Sequence, residues 1–315
     1  MIVRWSLDEL RPTLAEVGIA RPLLIASSRW DGLDLPHVAR LSELPATDPH
    51  VPGDADGILA VGGGSAIDTA KHASAQSGKP VVHVPTTYSG AEWTTFYGIR
   101  SPDRIIRGGG RDAHPVALVY DVSLTLDLPR DVTAGTALNG LAHCAEALYV
   151  RGRNPEGDEQ ALAGARLIAE ALPQVLAAPH DVEARTRLLE GAAHAGHALA
   201  LAGLALAHAM AQALGGTYGI PHGAMNALCL PPALAFNAEL APEAIARFAE
   251  AVGGEAAATA RALAEAGGFD NLRQFGVPED DLPRVAEAAA QRAGNQANPR
   301  PATAAEILAM FRSIY

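Results

Sequence analysis

Ala60-Val-Gly-Gly-Gly-Ser-Ala-Ile-Asp-Thr-Ala-Lys71 carries the strongest signal in the chain. The apolar run before it, residues 57–61, reads as a buried strand, and the residues after Ser65 as a helix reaching about position 77. Glycine has no Cβ, so three in succession let the backbone turn sharply and let an anionic group come close. A helix that begins there points free N–H groups and its positive dipole end back at the turn. The combination predicts a pyrophosphate cradle. The same stretch also suits a tight strand-to-helix turn without a ligand, and it is not the Gly-x-Gly-x-x-Gly of the ordinary dinucleotide fold.

Outward from this stretch, strand and helix signals alternate. Residues 6–17 read as a helix, 22–27 as a buried strand, 81–84 as a strand ending at Pro85-Thr-Thr87, and 116–120 as a further strand. Such alternation implies a parallel α/β sheet whose ligands lie beyond the carboxyl ends of the strands, where Ser65 and Thr86 fall. After residue 128 the character changes. Ala- and Leu-rich runs at 131–150, 158–176, 182–203, 204–214, 242–252, 255–266 and 281–293 read as helices, punctuated by Gly215-Gly216 and Gly267-Gly268. A dinucleotide-binding α/β domain over 1–128 and a helical substrate domain over 129–315 are expected.

Composition narrows the function classes. Of 315 residues, 49% are hydrophobic and 19% charged, which suits a folded protein of two domains. A net charge of −11 argues against nucleic-acid or anionic-membrane partners. The N-terminus shows no basic-then-apolar leader, and no apolar run is long enough to span a bilayer. Cys144 and Cys229 are the two cysteines, both in apolar contexts, so a reducing cytoplasmic setting and inert buried thiols are expected.

The helical part holds a cluster of polar candidates. Asn139 and His143 stand four apart and share a helix face. His208 and His222 flank the Gly215-Gly216 break, which could bring them together. Each imidazole taken singly also suits a satisfied core or capping histidine. His83, His194 and His197 read as structural.

Gly62-Gly-Gly-Ser-x-x-Asp-x-x-Lys71 is similar to the cofactor motif of the iron-containing alcohol dehydrogenase superfamily. Pro85-Thr-Thr-Tyr-Ser-Gly-Ala-Glu92, Gly110-Arg-Asp112, Val119-Tyr-Asp121, Leu138-Asn-Gly-Leu-Ala-His-Cys-Ala-Glu-Ala-Leu-Tyr149 and Asn298-Pro-Arg-Pro301 resemble its maleylacetate reductase branch. The resemblance implies a dehydroquinate synthase-like fold and an NADH- or NADPH-dependent reduction of a small unsaturated or keto acid in a cleft between domains. It also implies a homodimer. In metal-dependent members the positions of 139, 143, 208 and 222 are Asp, His, His and His, and they hold iron or zinc. Here Asn139 replaces the carboxylate with a neutral amide, which weakens the hold on a dication. A catalytic metal is therefore not expected; were one bound, Asn139, His143, His208 and His222 would be its ligands. The chain departs from the reductase branch at Gln212, where His is usual, and in Pro221-His-Gly-Ala-Met-Asn226. The segment between Ser28 and Asp54 is short for the helix and strand expected there.

By the resemblance, Gly63, Gly64 and Ser65 bind the pyrophosphate, Asp68 lies near the cofactor, and Thr86 and Thr87 reach the phosphates or the nicotinamide. Ser27 and Arg29 end the first buried strand, where an acidic residue would mark NAD specificity; an uncharged or basic end also admits the 2′-phosphate of NADPH. His143, His208, His222 and Tyr88 are the candidate proton donors, with Asn139, Arg111 and Arg300 facing an acidic substrate. Two rival readings are a metal-dependent alcohol dehydrogenase or aldehyde reductase, and a dinucleotide-binding protein without catalysis.

Overall fold

Alternation along the buried strands builds the first half of the protein. In this computed structural model, which describes residues 1–100, 105–110, 113 and 115–315, the chain forms two units. The first comprises Met1–Thr87 and Ala91–Thr125, the second Tyr88–Gly90 and Leu126–Tyr315.

The first unit holds a parallel sheet of β1 (Ile2–Arg4), β2 (Pro22–Ile25), β3 (Ala39–Leu41), β4 (Gly57–Gly62), β5 (Val81–Pro85) and β8 (Pro115–Val119), in the order β1-β8-β5-β4-β2-β3. Between β5 and β8 in the chain, β6 (Tyr97–Arg100) and β7 (Ile105–Gly108) pair antiparallel as a separate hairpin. Successive strand residues face opposite sides of a sheet. Leu24, Leu59, Val61, Val82 and Val84 accordingly pack with Leu10 and Leu14 of α1 (Leu10–Glu16). Leu23, Ile25, Ile58 and Ala60 pack on the other face with Ala66, Ala70 and Ala73 of α2 (Gly64–Ser77). From β2 the chain runs outward to β3, and from β4 it runs the other way to β5. The carboxyl ends of β2 and β4 therefore flank a topological switch point, where open α/β sheets bind ligands. The short 28–54 segment does contain a strand, β3, but its helix is reduced to a single 3-10 turn at Ser28–Trp30.

A buried carboxylate sits in this unit. Glu92 Oε1 accepts from the Tyr120 hydroxyl at 2.8 Å, and Tyr120 accepts from Trp93 Nε1 at 2.7 Å. Trp5 stacks on Tyr120 with ring centroids 4.7 Å apart. Among the described residues, Glu92 Oε2 has no hydrogen-bond partner.

The second unit is helical: α3 (Arg130–Ala147), α4 (Pro155–Ala177), α5 (Val182–Ala202), α6 (Leu206–Tyr218), α7 (His222–Asn237), α8 (Pro242–Val252), α9 (Ala256–Ala266), α10 (Leu282–Ala290), α11 (Ala293–Ala297) and α12 (Ala304–Ser313). Asn154 caps α4 by accepting from the Gly157 N–H at 2.9 Å, with Pro155 in the first turn. α3 is buried from Thr133 to Ala147 except at half-buried Thr136, with α4, α5 and α7 against it. The α3–α7 crossing is set by glycines, since a Cβ on Gly223 would stand 2.4 Å from the Gly135 carbonyl. That approach brings the first turn of α7 onto the middle of α3. Among the described residues, no single helix is long and apolar enough to cross a membrane.

Burial raises the Glu92 carboxyl to about 6, against the opposing pull of Tyr120 and Lys71. The folded state then binds this proton more tightly than the unfolded chain, so the contribution of Glu92 to stability is fully present at low pH and is lost as pH rises from about 4.5 to 6. We predict that Glu92→Gln removes the part of the parent's pH dependence of stability that lies between about pH 4.5 and 6, so that its stability relative to the parent rises by about 2 kcal/mol from pH 4 to pH 8. Denaturant melts at pH 4 and pH 8 check this; a difference between variant and parent that does not change between the two pH values contradicts it.

Candidate active site

The glycine turn at the end of β4 leaves the start of α2 open. Gly63 is its N-cap and makes no side-chain capping bond. Gly62 has φ +155, and a Cβ there would lie 2.7 Å from the Ala66 Cβ; a Cβ on Gly63 would lie 2.8 Å from Thr87 Cγ2. Glycine is thus required at both places, and beside Gly64 no atom comes within 4 Å of a Cβ position. Ser65 is exposed at the helix start, and the Thr86 N–H donates to the Gly62 carbonyl at 3.1 Å. A bare helix N-terminus of this form fits the phosphates of a dinucleotide. Asp68 is engaged on both oxygens, accepting from buried Lys71 Nζ at 3.2 Å and from the Gly98 N–H at 3.0 Å. Lys71 also donates to Thr94 Oγ1 and the Phe96 carbonyl, each at 2.9 Å. These bonds tie α2 to the β6 hairpin.

Beyond β2, Arg29 lies over the Trp30 ring, 5.2 Å from its centroid. Two residues not singled out in the sequence complete this corner. Arg40 Nη2 donates to the Ser27 carbonyl at 2.7 Å and pairs with Asp31 at 2.6 Å. The corner therefore carries an acidic group as well as arginines.

In the helical unit the structure brings Asn139, His143, His208 and His222 together. The His143 and His208 rings stack with centroids 4.7 Å apart, and His208 and His222 stand at 5.6 Å. Glu146 was not predicted. It lies seven residues after Asn139 and three after His143, on the same face of α3, and that spacing was the available signal. Its fully buried carboxylate accepts from the Ala205 N–H at 2.8 Å and the His208 N–H at 3.1 Å, and lies 2.7 Å from His208 Nδ1. The start of α6 is thus capped by a side chain from α3, and the same carboxylate orients the first imidazole.

The Asn139 amide is saturated. Its Nδ2 donates to the Ser89 carbonyl at 3.1 Å and lies 3.4 Å from His143 Nε2. Its Oδ1 accepts from Asn226 Nδ2 at 2.7 Å and faces His208 Nε2 at 3.3 Å, a contact that calls for a proton on Nε2. A primary amide offers two donors and two lone pairs, and all four have partners here. The flipped amide would set Oδ1 against the Ser89 carbonyl, which fixes the orientation. Burial, then the neighbouring His208 and His222, hold His143 well below the ordinary imidazole value. The packed surroundings of the His222 ring, then His208, lower His222 also, although that residue keeps an exposed edge at the start of α7.

This donor set does not fit a metal ion. Asn139 Oδ1 has no lone pair to spare, and His222 Nε2 lies 3.0 Å from an Asn226 N–H donor. Among the described residues, no group of three or more His, Cys, Asp or Glu side chains could hold one.

Other predicted residues lie elsewhere. The Tyr88 hydroxyl accepts from buried Arg185 at 3.0 Å within the helical unit. Arg300 forms a two-point pair with Glu306, at 2.9 and 3.1 Å. Arg111 lies outside the described residues. Gln212 follows His208 by one turn of α6 and is half-buried. His194 Nδ1 lies 2.7 Å from Gln160 Oε1 on the neighbouring helix. Both cysteines are buried, and burial pushes their thiols far up.

Residues 133–315 match the model of the Fe-containing alcohol dehydrogenase family, C-terminal, and residues 49–122 that of iron-containing alcohol dehydrogenase. Maleylacetate reductase of Sphingobium indicum is 36% identical over 260 residues, 82% of this chain and 73% of its own length. Maleylacetate reductase 1 of Cupriavidus pinatubonensis is 37% identical over 250 residues, 79% of this chain and 70% of its own. The crystal structure of maleylacetate reductase from Agrobacterium tumefaciens superposes with a TM-score of 0.90 at 31% identity, covering 100% of this chain and 95% of that one. An NAD(P)-dependent oxidoreductase is the class that this fold and its relatives define. The chain belongs to the iron-containing alcohol dehydrogenase superfamily, in its maleylacetate reductase-like branch.

Glu146→Gln would turn an amide N–H toward one of the donors that the carboxylate now satisfies. Such an unpaired buried donor costs about 1–3 kcal/mol. We predict a lower melting temperature and a kcat lower by roughly 10–100-fold, with the KM for cofactor unchanged. Steady-state kinetics and thermal melts check both; an unaltered kcat contradicts the orienting role.

Proposed function

We propose that the protein reduces the activated carbon–carbon double bond of a small unsaturated dicarboxylic acid of the maleylacetate type, using NADH or NADPH. The observation that carries the reading is the saturated amide at position 139 amid three imidazoles. It leaves a site rich in proton donors and poor in metal-binding capacity, in a chain of the maleylacetate reductase-like branch.

A bound nicotinamide would supply a hydride to one alkene carbon, with the alkene's electron pair passing to the conjugated carbonyl oxygen. The chain's residues do the rest. Gly63, Gly64 and Ser65 would hold the pyrophosphate through N–H groups at the start of α2, with Thr86 and Thr87 at the neighbouring strand end. Ser27, Arg29, Arg40 and Asp31, beyond the end of β2, would face the ribose of a bound dinucleotide. Arginine there favours a 2′-phosphate and Asp31 a free 2′-hydroxyl, so we expect both cofactors to serve. An N–H of the imidazole group steadies the enolate oxygen, and one imidazole delivers the proton to the second carbon. We assign the donor role to His208, whose ring Glu146 fixes through Nδ1 and whose Nε2–H, held on Asn139 Oδ1, is the proton to be passed. The neutral rings of His143 and His222 suit binding of the substrate's oxygens. We further propose a homodimer, as the resemblance implies.

The test is oxidation of NADH and of NADPH in the presence of maleylacetate, on protein of measured metal content, with and without EDTA. Turnover that persists in metal-free protein is the expected result. Metal-dependent reduction of aldehydes without turnover of maleylacetate would overturn the proposal, as would dinucleotide binding with no turnover at all.

A further inference from the structure

The mismatch between this site and a metal has its own internal structure. Asn226 is fully buried, one turn after His222 on α7. Its Nδ2 reaches Asn139 Oδ1 at 2.7 Å, His222 Nε2 at 3.0 Å and the His222 carbonyl at 3.3 Å. Its Oδ1 has no partner among the described residues. A flip would supply that oxygen's place with a donor, but it would set Oδ1 against Asn139 Oδ1 and the His222 carbonyl. The inward contacts therefore decide the orientation, at the cost of a bare oxygen outside. Asn139 extends the pattern on the other side, with its Nδ2 3.4 Å from His143 Nε2 and its Oδ1 3.3 Å from His208 Nε2. Each imidazole thus turns Nε2 toward an amide: His143 and His222 toward N–H donors, His208 toward an oxygen acceptor.

We propose that the Asn139–Asn226 amide pair takes the structural place of a metal ion, holding the three imidazoles in register, and that Asn226 is a positioning residue for His222. A dication would gather these rings by accepting their lone pairs. The amide pair gathers them by hydrogen bonds that need no cation, and those bonds occupy the Nε2 lone pairs of His143 and His222 and the Asn139 oxygen that a cation would use. The Ser89 carbonyl anchors one end of the pair at 3.1 Å, and the α3–α7 crossing at Gly135 and Gly223 sets the distance between its two helices. The inference concerns how the site is held, and it stands apart from which acid is reduced.

The experiment uses the full-length enzyme with 15N-labelled histidine, first without substrate. In the parent protein, the His222 Nε2 resonance is expected at the position of a hydrogen-bonded acceptor. Added Zn2+ should leave the ring signals of His143, His208 and His222 unmoved, with no stoichiometric zinc retained after desalting. Asn226→Ala should move the His222 Nε2 resonance to that of an unbonded nitrogen while leaving His194 and His197 unchanged. It should also lower kcat by about 10–100-fold at constant KM for cofactor. Stoichiometric zinc bound by the parent through these three rings would overturn the proposal. So would a variant whose His222 resonance and kcat match the parent. Should the variant fail to fold, the zinc titration of the parent still decides.

Discussion

Four hydrogen bonding positions on one side chain, all of them engaged, organise the helical half of this protein. The Asn139 amide meets the Ser89 carbonyl, His143, Asn226 and His208, and a primary amide has no further capacity. Neighbouring features serve that arrangement. Glu146, on the same helix face, caps α6 and holds His208 Nδ1 at 2.7 Å. The glycine crossing of α3 and α7 allows His222 and Asn226 to come within reach. Arg185 holds the Tyr88 hydroxyl, and the Tyr88 N–H donates to Thr136 Oγ1 at 3.2 Å, so Tyr88–Gly90 is docked on the helices and presents the Ser89 carbonyl. A carboxylate at position 139 would offer its lone pairs to a dication; the amide spends them on neighbours.

The α/β unit rests on a simpler constraint, the need for a backbone free of side chains where β4 turns into α2. Gly62 and Gly63 meet that need through contacts that a Cβ would break, and the helix N-terminus behind them stays uncapped. Buried polar groups nearby are tied into structure. Lys71, with its pKa lowered by burial, donates to Asp68, Thr94 and Phe96. The phosphate-binding turn is thereby mounted on a helix fixed to both the sheet and the β6 hairpin.

Much of this was legible in the sequence because it rests on local rules. The glycine turn, the apolar strands on either side of it and the change to Ala-rich helices after residue 128 follow from backbone permissiveness and periodicity. The 139–143 pairing follows from helix pitch. What escaped was tertiary. α7 contains Pro231 and Pro232 and begins at a histidine, so propensity argued against a helix that packing supports. Glu146 looked like one more polar residue on an Ala-rich helix, because its partners lie 59 and 62 residues away. The 2′-phosphate corner looked uncharged or basic until Arg40 folded onto Ser27 and brought Asp31 with it. The assignment of Tyr88–Gly90 to the helical unit has no local signature at all.

The most direct test is a single substitution, Asn139→Asp, assayed for metal content by elemental analysis after purification with iron or zinc present. If the amide is what shuts the cation out, the variant should retain a stoichiometric metal ion and lose it to EDTA, while the parent retains none. A variant that stays metal-free with the parent's turnover would contradict the account, because the three imidazoles would then be arranged for something other than the choice between cation and amide.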